Sequence, residues 1–481
     1  MVLQNSVARP EIDLEEQRLI VRQLRMELVQ QYRAQLQASG EPPIRMMASI
    51  VQALERECAE RHLDETAMRL EIVNRTIGDV NVRLISECDG EEGGPGDYRR
   101  LGDELGVALP GEDLQGYIAN GKMYRWLRDQ MLEAERLLLK NGFDPRSYDL
   151  ATVGNPILRG WLAEDMQQWG LSVTAEHIAI GLGATDCMNK VLGGLGPLVR
   201  QGPGYVGAVL CPTPGFNILE AQALANGYRV RRIETRPEDC FKMTGGQLAR
   251  ALDEHPDIKV IYLTVTSNPA TFAYQPDELR GLLDVLRLQR QRGRVVHLLA
   301  DLAYVGTGIP TEDEARMRAL TSASDIGDQI IYVSSFSKTH TLTGERFGWV
   351  TFGDTGLAAR MVSSWINSVA SMPGEWQLRL MAYYQLFREN PHLIEKIRRL
   401  YGMRRTRLRK QLRRLDEQHQ LFEHIYLDDD ATIYNWSKLR EGEDCFSVLE
   451  KTGIAGIPGS TFGYSDQYIR FSVGILPVVM D

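Results

Sequence analysis

No stretch of about 18 apolar residues occurs anywhere in this 481-residue chain, so no membrane-spanning helix is expected. The six cysteines, Cys58, Cys88, Cys187, Cys211, Cys240 and Cys445, are scattered without a C-x-x-C pair or a histidine spaced for zinc. Neither a disulfide framework nor a metal site is therefore expected. An excess of basic charge is also missing: 55 Lys+Arg stand against 64 Asp+Glu, a net charge of −9. Nucleic-acid binding as the main activity needs a net basic face, and that expectation is dropped. The opening residues, MVLQNSVARPEIDLEEQRL, put acidic side chains where a signal peptide would have an apolar run. These absences together point to a soluble protein of a reducing, cytoplasmic compartment.

What is present is ordinary globular material, 43% hydrophobic and 25% charged, with length for two or three domains. Residues 11 to 88 read as helical. In the first segment Ile20, Leu24, Leu28, Tyr32 and Leu36 recur every fourth residue, and Pro42-Pro43 interrupts it. In the second, Met47, Val51, Leu54 and Cys58 share a face; a third is expected from an Asp64 cap to Leu84. The acidic, turn-rich run Asp89 to Asp97 marks a boundary or loop, and 118 to 141 reads as a helix ending at Gly142.

Beyond residue 175 the pattern changes. Short β-branched runs at 206–211, 228–234, 259–265, 294–301, 329–336 and 347–353 alternate with helical stretches such as Asp277 to Arg292. That alternation predicts an α/β fold with a mostly parallel central sheet flanked by helices. An Arg-rich helix over about 391–419 and short strands near Ile433 and Ile469 predict a small α+β C-terminal domain. The expected division is 1–110 helical extension, 111–370 large domain and 371–481 small domain.

Polar residues recur where the expected strands end. Asn268 follows KVIYLTVTS, Asp301 ends RVVHLLAD, and Lys338 follows QIIYVSSFS. In such a sheet a ligand sits outside the carboxyl ends of the strands. A lysine amine there can form a Schiff base with a carbonyl, and pyridoxal phosphate is the cofactor whose chemistry starts that way. Asp301 suits a protonated pyridine nitrogen, since a carboxylate favours the charged form. Asn268 and Tyr304 suit the ring hydroxyl. Gly183-Ala184-Thr185 opening a helix, with Ser335 and Arg346, suits a phosphate.

The set SNP (267–269), DLAY (301–304), SSFSKTHTLTGERFGW (334–349) and YIRFSVG (468–474) resembles the class I/II aminotransferases of pyridoxal-phosphate fold type I, over roughly residues 145–475. Arg346 follows Lys338 by eight residues, the family's spacing between aldimine lysine and phosphate arginine. The resemblance implies pyridoxal 5′-phosphate held by Lys338, Asp301, Asn268, Tyr304, Ala184, Thr185, Ser335 and Arg346, with Phe216 stacked on its ring and Tyr148 reaching a neighbouring subunit's phosphate. Lys338, Asp301 and Tyr304 take the catalytic roles. Arg470 is implied to grip the substrate carboxylate, with Asn268 also facing the substrate. The reaction implied is amino transfer between an α-amino acid and a 2-oxo acid in a homodimer.

Departures from the family pattern bear on the substrate side. Asn268-Pro269-Ala270-Thr271 replaces the usual N-P-T-G, and of the Gly-containing N-terminal substrate strand only Ile118 to Gly121 suggests a remnant. The sequence given ends 11 residues after Arg470, where the family continues into a helix, so the N-terminal helices are expected to cover that surface. The motifs do not choose between transamination and a lyase, cyclase, decarboxylase or oxidase reaction on the same cofactor. A non-enzymatic protein that kept the fold is a third reading. Taken alone, Lys338 reads as a surface lysine, Asp301 as a cap, Asn268-Pro269 as a turn, Arg470 as a structural ion-pair partner and Phe216 as core. His340 reads as a loop residue lining the site, Arg398 to Arg414 as a solvated helix face. Asp186 in the third glycine's place removes a dinucleotide-binding reading of GLGATD.

Overall fold

The computed structural model describes residues 13–39, 43–76, 122–148, 152–200, 206–426 and 433–474. By contacts the chain divides into two compact units, one drawn from 1–77, 410–425 and 436–472, the other from 78–409, 426–435 and 473–481.

In the first unit, α1 (Leu14–Ser39) and α2 (Pro43–Glu60) follow the expected breaks. On α2 the face of Met47, Val51, Leu54 and Cys58 is buried as expected. On α1 the buried face is turned by one position: Val21, Leu24, Arg25 and Val29 are buried, while Ile20, Leu28 and Tyr32 are half-buried. The cause is a charge, since Arg25 faces the buried Glu71. Asp64 caps α3 (Glu65–Glu71), its side chain accepting from Thr66 N at 2.6 Å. The helix does not run on to Leu84. It stops at Glu71, Ile72 is extended, and β1 (Val73–Asn74) follows. Residues 77–88 lie outside the described residues.

The other unit carries a seven-stranded sheet. Its strands are β2 (Ile178–Leu182), β3 (Ala208–Thr213), β4 (Arg229–Glu234), β5 (Ile258–Thr264), β6 (His297–Asp301), β7 (Ile330–Ser335) and β8 (Phe347–Phe352), in the order β2-β8-β7-β6-β5-β3-β4. β8 runs antiparallel to both its neighbours, β2 and β7, and the remaining pairs are parallel. The β3 strand begins two residues later than expected because Gly207 turns the chain at φ +125°. It then continues through Pro212, which is tolerated because pairing with β5 stops at Leu210. Helices cover the sheet by burying apolar stripes: the helix Gly183–Val199 buries Cys187, Met188, Val191, Leu192 and Leu195 against Val209, Val260, Leu299, Ile331 and Val350. The helix Pro276–Gln291 shows why these segments are helical. Gln275 and Glu278 form a capping box, Pro276 opens the first turn, and Leu279, Leu282, Leu283 and Leu286 face inward.

The Arg-rich helix spans His392–His419, as expected, but it is not the solvated face expected over 398–414, since Arg404 and Arg405 are buried. Beyond it, β9 (Phe422–Ile425), β10 (Tyr434–Leu439), β11 (Ile454–Ala455), β12 (Ile457–Pro458) and β13 (Tyr468–Ser472) follow. The four-stranded sheet has the order β12-β13-β10-β9, and β11 pairs with β1 in parallel. The first unit therefore interleaves the N-terminal helices with strands from the far end of the chain. Among the described residues no helix is long and apolar enough to cross a membrane. Nor, among them, do three or more His, Cys, Asp or Glu cluster as a metal site would require.

Candidate active site

The carboxyl ends of the parallel strands deliver the predicted residues. β2 leads to Gly183, β3 to Phe216, β5 to Asn268, β6 ends at Asp301 with Tyr304 just beyond, and β7 leads to Lys338. The antiparallel strand completes the edge. Because β8 pairs Phe347 with Leu182 and Gly348 with Ser335, Arg346 enters where its neighbours finish.

Lys338 is half-buried in the four-residue helix Phe336–Thr339, and its carbonyl accepts from the Tyr401 hydroxyl at 2.8 Å. Ser335 caps that helix. Its Oγ accepts from Ser337 N at 3.0 Å, donates to Phe347 O at 2.8 Å and lies 2.8 Å from Ser337 Oγ. The cap joins the lysine turn to β8 and hence to Arg346.

Asp301 is 3% exposed. Its Oδ2 accepts from Tyr262 OH at 2.8 Å and its Oδ1 from Ala303 N at 3.0 Å. Burial pushes its carboxyl pKa up, and those two donors pull it back. A cationic partner would stabilise the ionised form. Asn268 Nδ2 donates to Tyr304 OH at 3.1 Å, and Tyr304 OH lies 3.0 Å from Tyr434 OH, the two rings edge to face at 5.4 Å. The three side chains form one buried polar row.

Gly183 opens its helix at φ +84°, and a Cβ there would stand 2.5 Å from Arg346 Nη2. At Gly348 a Cβ would stand 2.4 Å from the Gly183 carbonyl carbon. The guanidinium thus lies over the helix N-terminus only because both positions are glycine. Arg346 itself takes φ +60°, with Nη1 donating to Thr343 O at 3.0 Å. Ala184 and Thr185, both half-buried, sit in the first turn. A helix N-terminus and an arginine suit an anionic head group, with Ser335, its hydroxyl donated to Phe347 O, tying the lysine turn to them; a buried carboxylate suits a protonated ring nitrogen, and the Asn268–Tyr304 row a ring hydroxyl. The donor set thus fits pyridoxal 5′-phosphate at each of its polar groups.

Phe216, just beyond β3, is half-buried with part of its ring packed on the core. Other predicted residues fall elsewhere. Tyr148 is 77% exposed and lines a cavity of about 340 Å³ with Phe143, Asn155 and Gln377, which contains none of the residues around Lys338. Arg470 belongs to the unit of the N-terminal helices. It lies on β13, 5% exposed, its Nη2 donating to Thr76 O at 2.9 Å and its guanidinium 4.9 Å from the Phe462 ring. Ile118 to Gly121 lie outside the described residues. The segment against Arg470 is instead Ile72 to Thr76, and the sequence signal for it is a β-branched pair followed at once by Asn74 and, two residues past Thr76, by Gly78. His340 is held neutral, its pKa pushed down to about 3 by burial and by the charge of Arg398. Its ring packs between Phe336 and Phe387. Sequence reasoning missed Tyr262, Ser337 and Tyr434. Only Ser337, in the repeated Ser-x-Ser before the lysine, had a local signal.

Residues 187–479 match the family described as aminotransferase class I and II. Among curated relatives, the aspartate aminotransferase of Thermococcus kodakarensis is 26% identical over 277 residues, 54% of this chain and 68% of that protein. The LL-diaminopimelate aminotransferase of Natranaerobius thermophilus is 25% identical over 224 residues, 45% of this chain and 53% of that protein. Among solved structures, a double mutant of the Thermus thermophilus aspartate aminotransferase superposes with a TM-score of 0.62 at 19% identity, covering 88% of this chain and 91% of that one. At that identity the likeness is one of fold, and the fold is that of the fold-type I aminotransferases.

Proposed function

Since the chain belongs to the class I and II aminotransferases, we propose that it moves an amino group between an α-amino acid and a 2-oxo acid with pyridoxal 5′-phosphate held at Lys338. The observation that carries this reading is the convergence of Lys338, Asp301, the Asn268–Tyr304 row and the Gly183–Arg346 cradle on one sheet edge. Bound there, the cofactor supplies a carbonyl that condenses with amines and a protonated ring that accepts an electron pair. Lys338 holds it and afterwards moves the proton at the substrate α-carbon. Asp301 keeps a positive charge at the ring nitrogen, while Tyr304 and Asn268 hold the ring hydroxyl. Gly183 to Thr185, Ser335 and Arg346 hold the phosphate, and Phe216 covers the ring. Arg470 binds the substrate carboxylate through its planar fork of donors. The exposure of Tyr148 supports its reaching a second subunit of a homodimer.

The test is a visible absorption spectrum of the purified protein, repeated with a panel of amino acids, with products identified by mass spectrometry. Conversion of the cofactor to its aminated form together with a 2-oxo acid supports transamination. A product other than a 2-oxo acid, or oxygen uptake, moves the assignment to a lyase, decarboxylase, cyclase or oxidase on the same site. Absence of any cofactor band overturns the reading.

A further inference from the structure

The substrate-side arginine is reached from the N-terminal helix by a continuous set of contacts. Arg18, Arg22 and Arg25 stand on α1 at spacings of four and three, which puts them on one face. All three converge on Glu71, the last residue of α3 and only 5% exposed. Arg18 Nε donates to Glu71 Oε1 at 2.8 Å, Arg22 Nε to Oε2 at 2.6 Å and Arg22 Nη2 to Oε1 at 2.8 Å, with Arg25 Nη1 3.7 Å from Oε2. Arg25 also donates to the Glu71 carbonyl, and to Glu450 O at 3.1 Å. Close packing seals this junction: a Cβ at Gly453 would lie 2.2 Å from Glu71 O and 2.5 Å from Arg25 Nη1.

The residues after Glu71 carry the constraint onward. Val73 N donates to Gly453 O and Arg75 N to Ala455 O, each at 2.9 Å. Ser472 N then donates to Arg75 O at 2.9 Å, and Arg470 Nη2 to Thr76 O at 2.9 Å. Thr76 is thus five residues from the clamp and tied to β13 at its far end. A carbonyl oxygen and the Phe462 ring help orient the Arg470 guanidinium. Three mutually repelling cations remain convergent only while the Glu71 carboxylate lies between them.

We propose that Glu71 is a positioning residue: held by Arg18, Arg22 and Arg25, it sets the Ile72–Thr76 segment and thereby the aim of Arg470 at a substrate carboxylate. The proposal rests on the reading of Arg470 given above. It assigns the N-terminal helix a part in substrate affinity, not only in packing.

The test uses the full-length holoenzyme, with propionate as a minimal carboxylate probe whose Kd is read by ligand-observed NMR, alongside KM and kcat for the amino donor found in the panel. Glu71→Gln is expected to raise the propionate Kd and the KM about tenfold while kcat changes by less than about twofold. Glu71→Asp is expected to recover part of the affinity. In an Arg470→Ala background Glu71→Gln is expected to have no further effect, since the two act through one interaction. Arg22→Gln, on a half-buried residue, should shift Kd in the same direction by less, and serves if Glu71→Gln does not fold. Wild-type affinity in the Glu71 or Arg22 variant, or an equal loss with and without Arg470, overturns the proposal. Unchanged propionate affinity in Arg470→Ala overturns the carboxylate role of Arg470 itself, a separate result.

Discussion

Tyr262 donates its hydroxyl to Asp301 Oδ2 at 2.8 Å from the neighbouring strand. The contact follows from register: β5 and β6 pair Tyr262 with Leu299, so the phenol reaches two residues along to the strand's end. Asp301 is otherwise desolvated, and a donor to its charged form opposes the upward push of burial. Tyr262→Phe removes that donor and leaves the ring. Its Asp301 carboxyl is expected to bind protons more tightly, and affinity for pyridoxal phosphate to fall about tenfold, as for other supporting contacts. Titration of the apoenzyme with cofactor, followed by absorbance at two pH values, checks this. Equal affinities in variant and wild type would remove Tyr262 from the site.

How far the sequence reaches is clear from neighbouring residues. Asp301, Asn268 and Lys338 were legible because each ends or closely follows a β-branched run, and strand ends are where a parallel sheet presents ligand-binding groups. Tyr262 and Tyr434 were not, because one acts through cross-strand register and the other lies 130 residues from Tyr304. The α3 helix illustrates both sides. Its start is local, an Asp64 cap, and was legible. Its end is set by pairing of Val73 with Ile454, a partner that no window of local sequence contains.

Gly183→Ala tests the phosphate cradle. The new methyl would stand 2.5 Å from Arg346 Nη2, and the backbone at φ +84° disfavours any side chain. Arg346 must then leave the helix N-terminus. Cofactor affinity is expected to drop by about tenfold or more, with a corresponding loss of the stabilisation that bound cofactor confers on the fold. Apoenzyme titration and thermal unfolding with and without cofactor provide the measurement; an unaltered Kd would show that the guanidinium does not need that position.

His340 makes the fold sensitive to acid. Its pKa, pushed down to about 3 by burial and by Arg398, lies below the ordinary value of 6.5, so the native state holds the neutral ring. The unfolded chain therefore binds the proton first. Stability is full above pH 6.5 and is lost progressively as pH falls toward 3. Between pH 7 and pH 5 this one group accounts for about 2 kcal/mol. His297, pushed down to about 4, adds to the same trend, so the measurement must be differential. Urea unfolding of His340→Asn and wild type at the two pH values should show a loss smaller by that amount in the variant. The same loss in both would mean that His340 is not held neutral.

Lys338→Ala tests the centre of the reading. The side chain emerges from a helix whose cap is made by Ser335 and whose packing is made by Phe336, with the lysine only half-buried. Truncating it should therefore leave the fold intact, with unfolding temperature and circular dichroism close to wild type. Turnover is expected to disappear, because the proposed reaction needs this amine both to hold the cofactor and to move the α-proton. Pyridoxal phosphate should still bind through the Arg346 cradle and Asp301, more weakly and without the covalent link, so borohydride treatment should no longer attach it to the chain. Near-normal turnover in this variant would exclude Lys338 from the chemistry. Loss of turnover with persistent borohydride labelling would move the covalent role to another lysine.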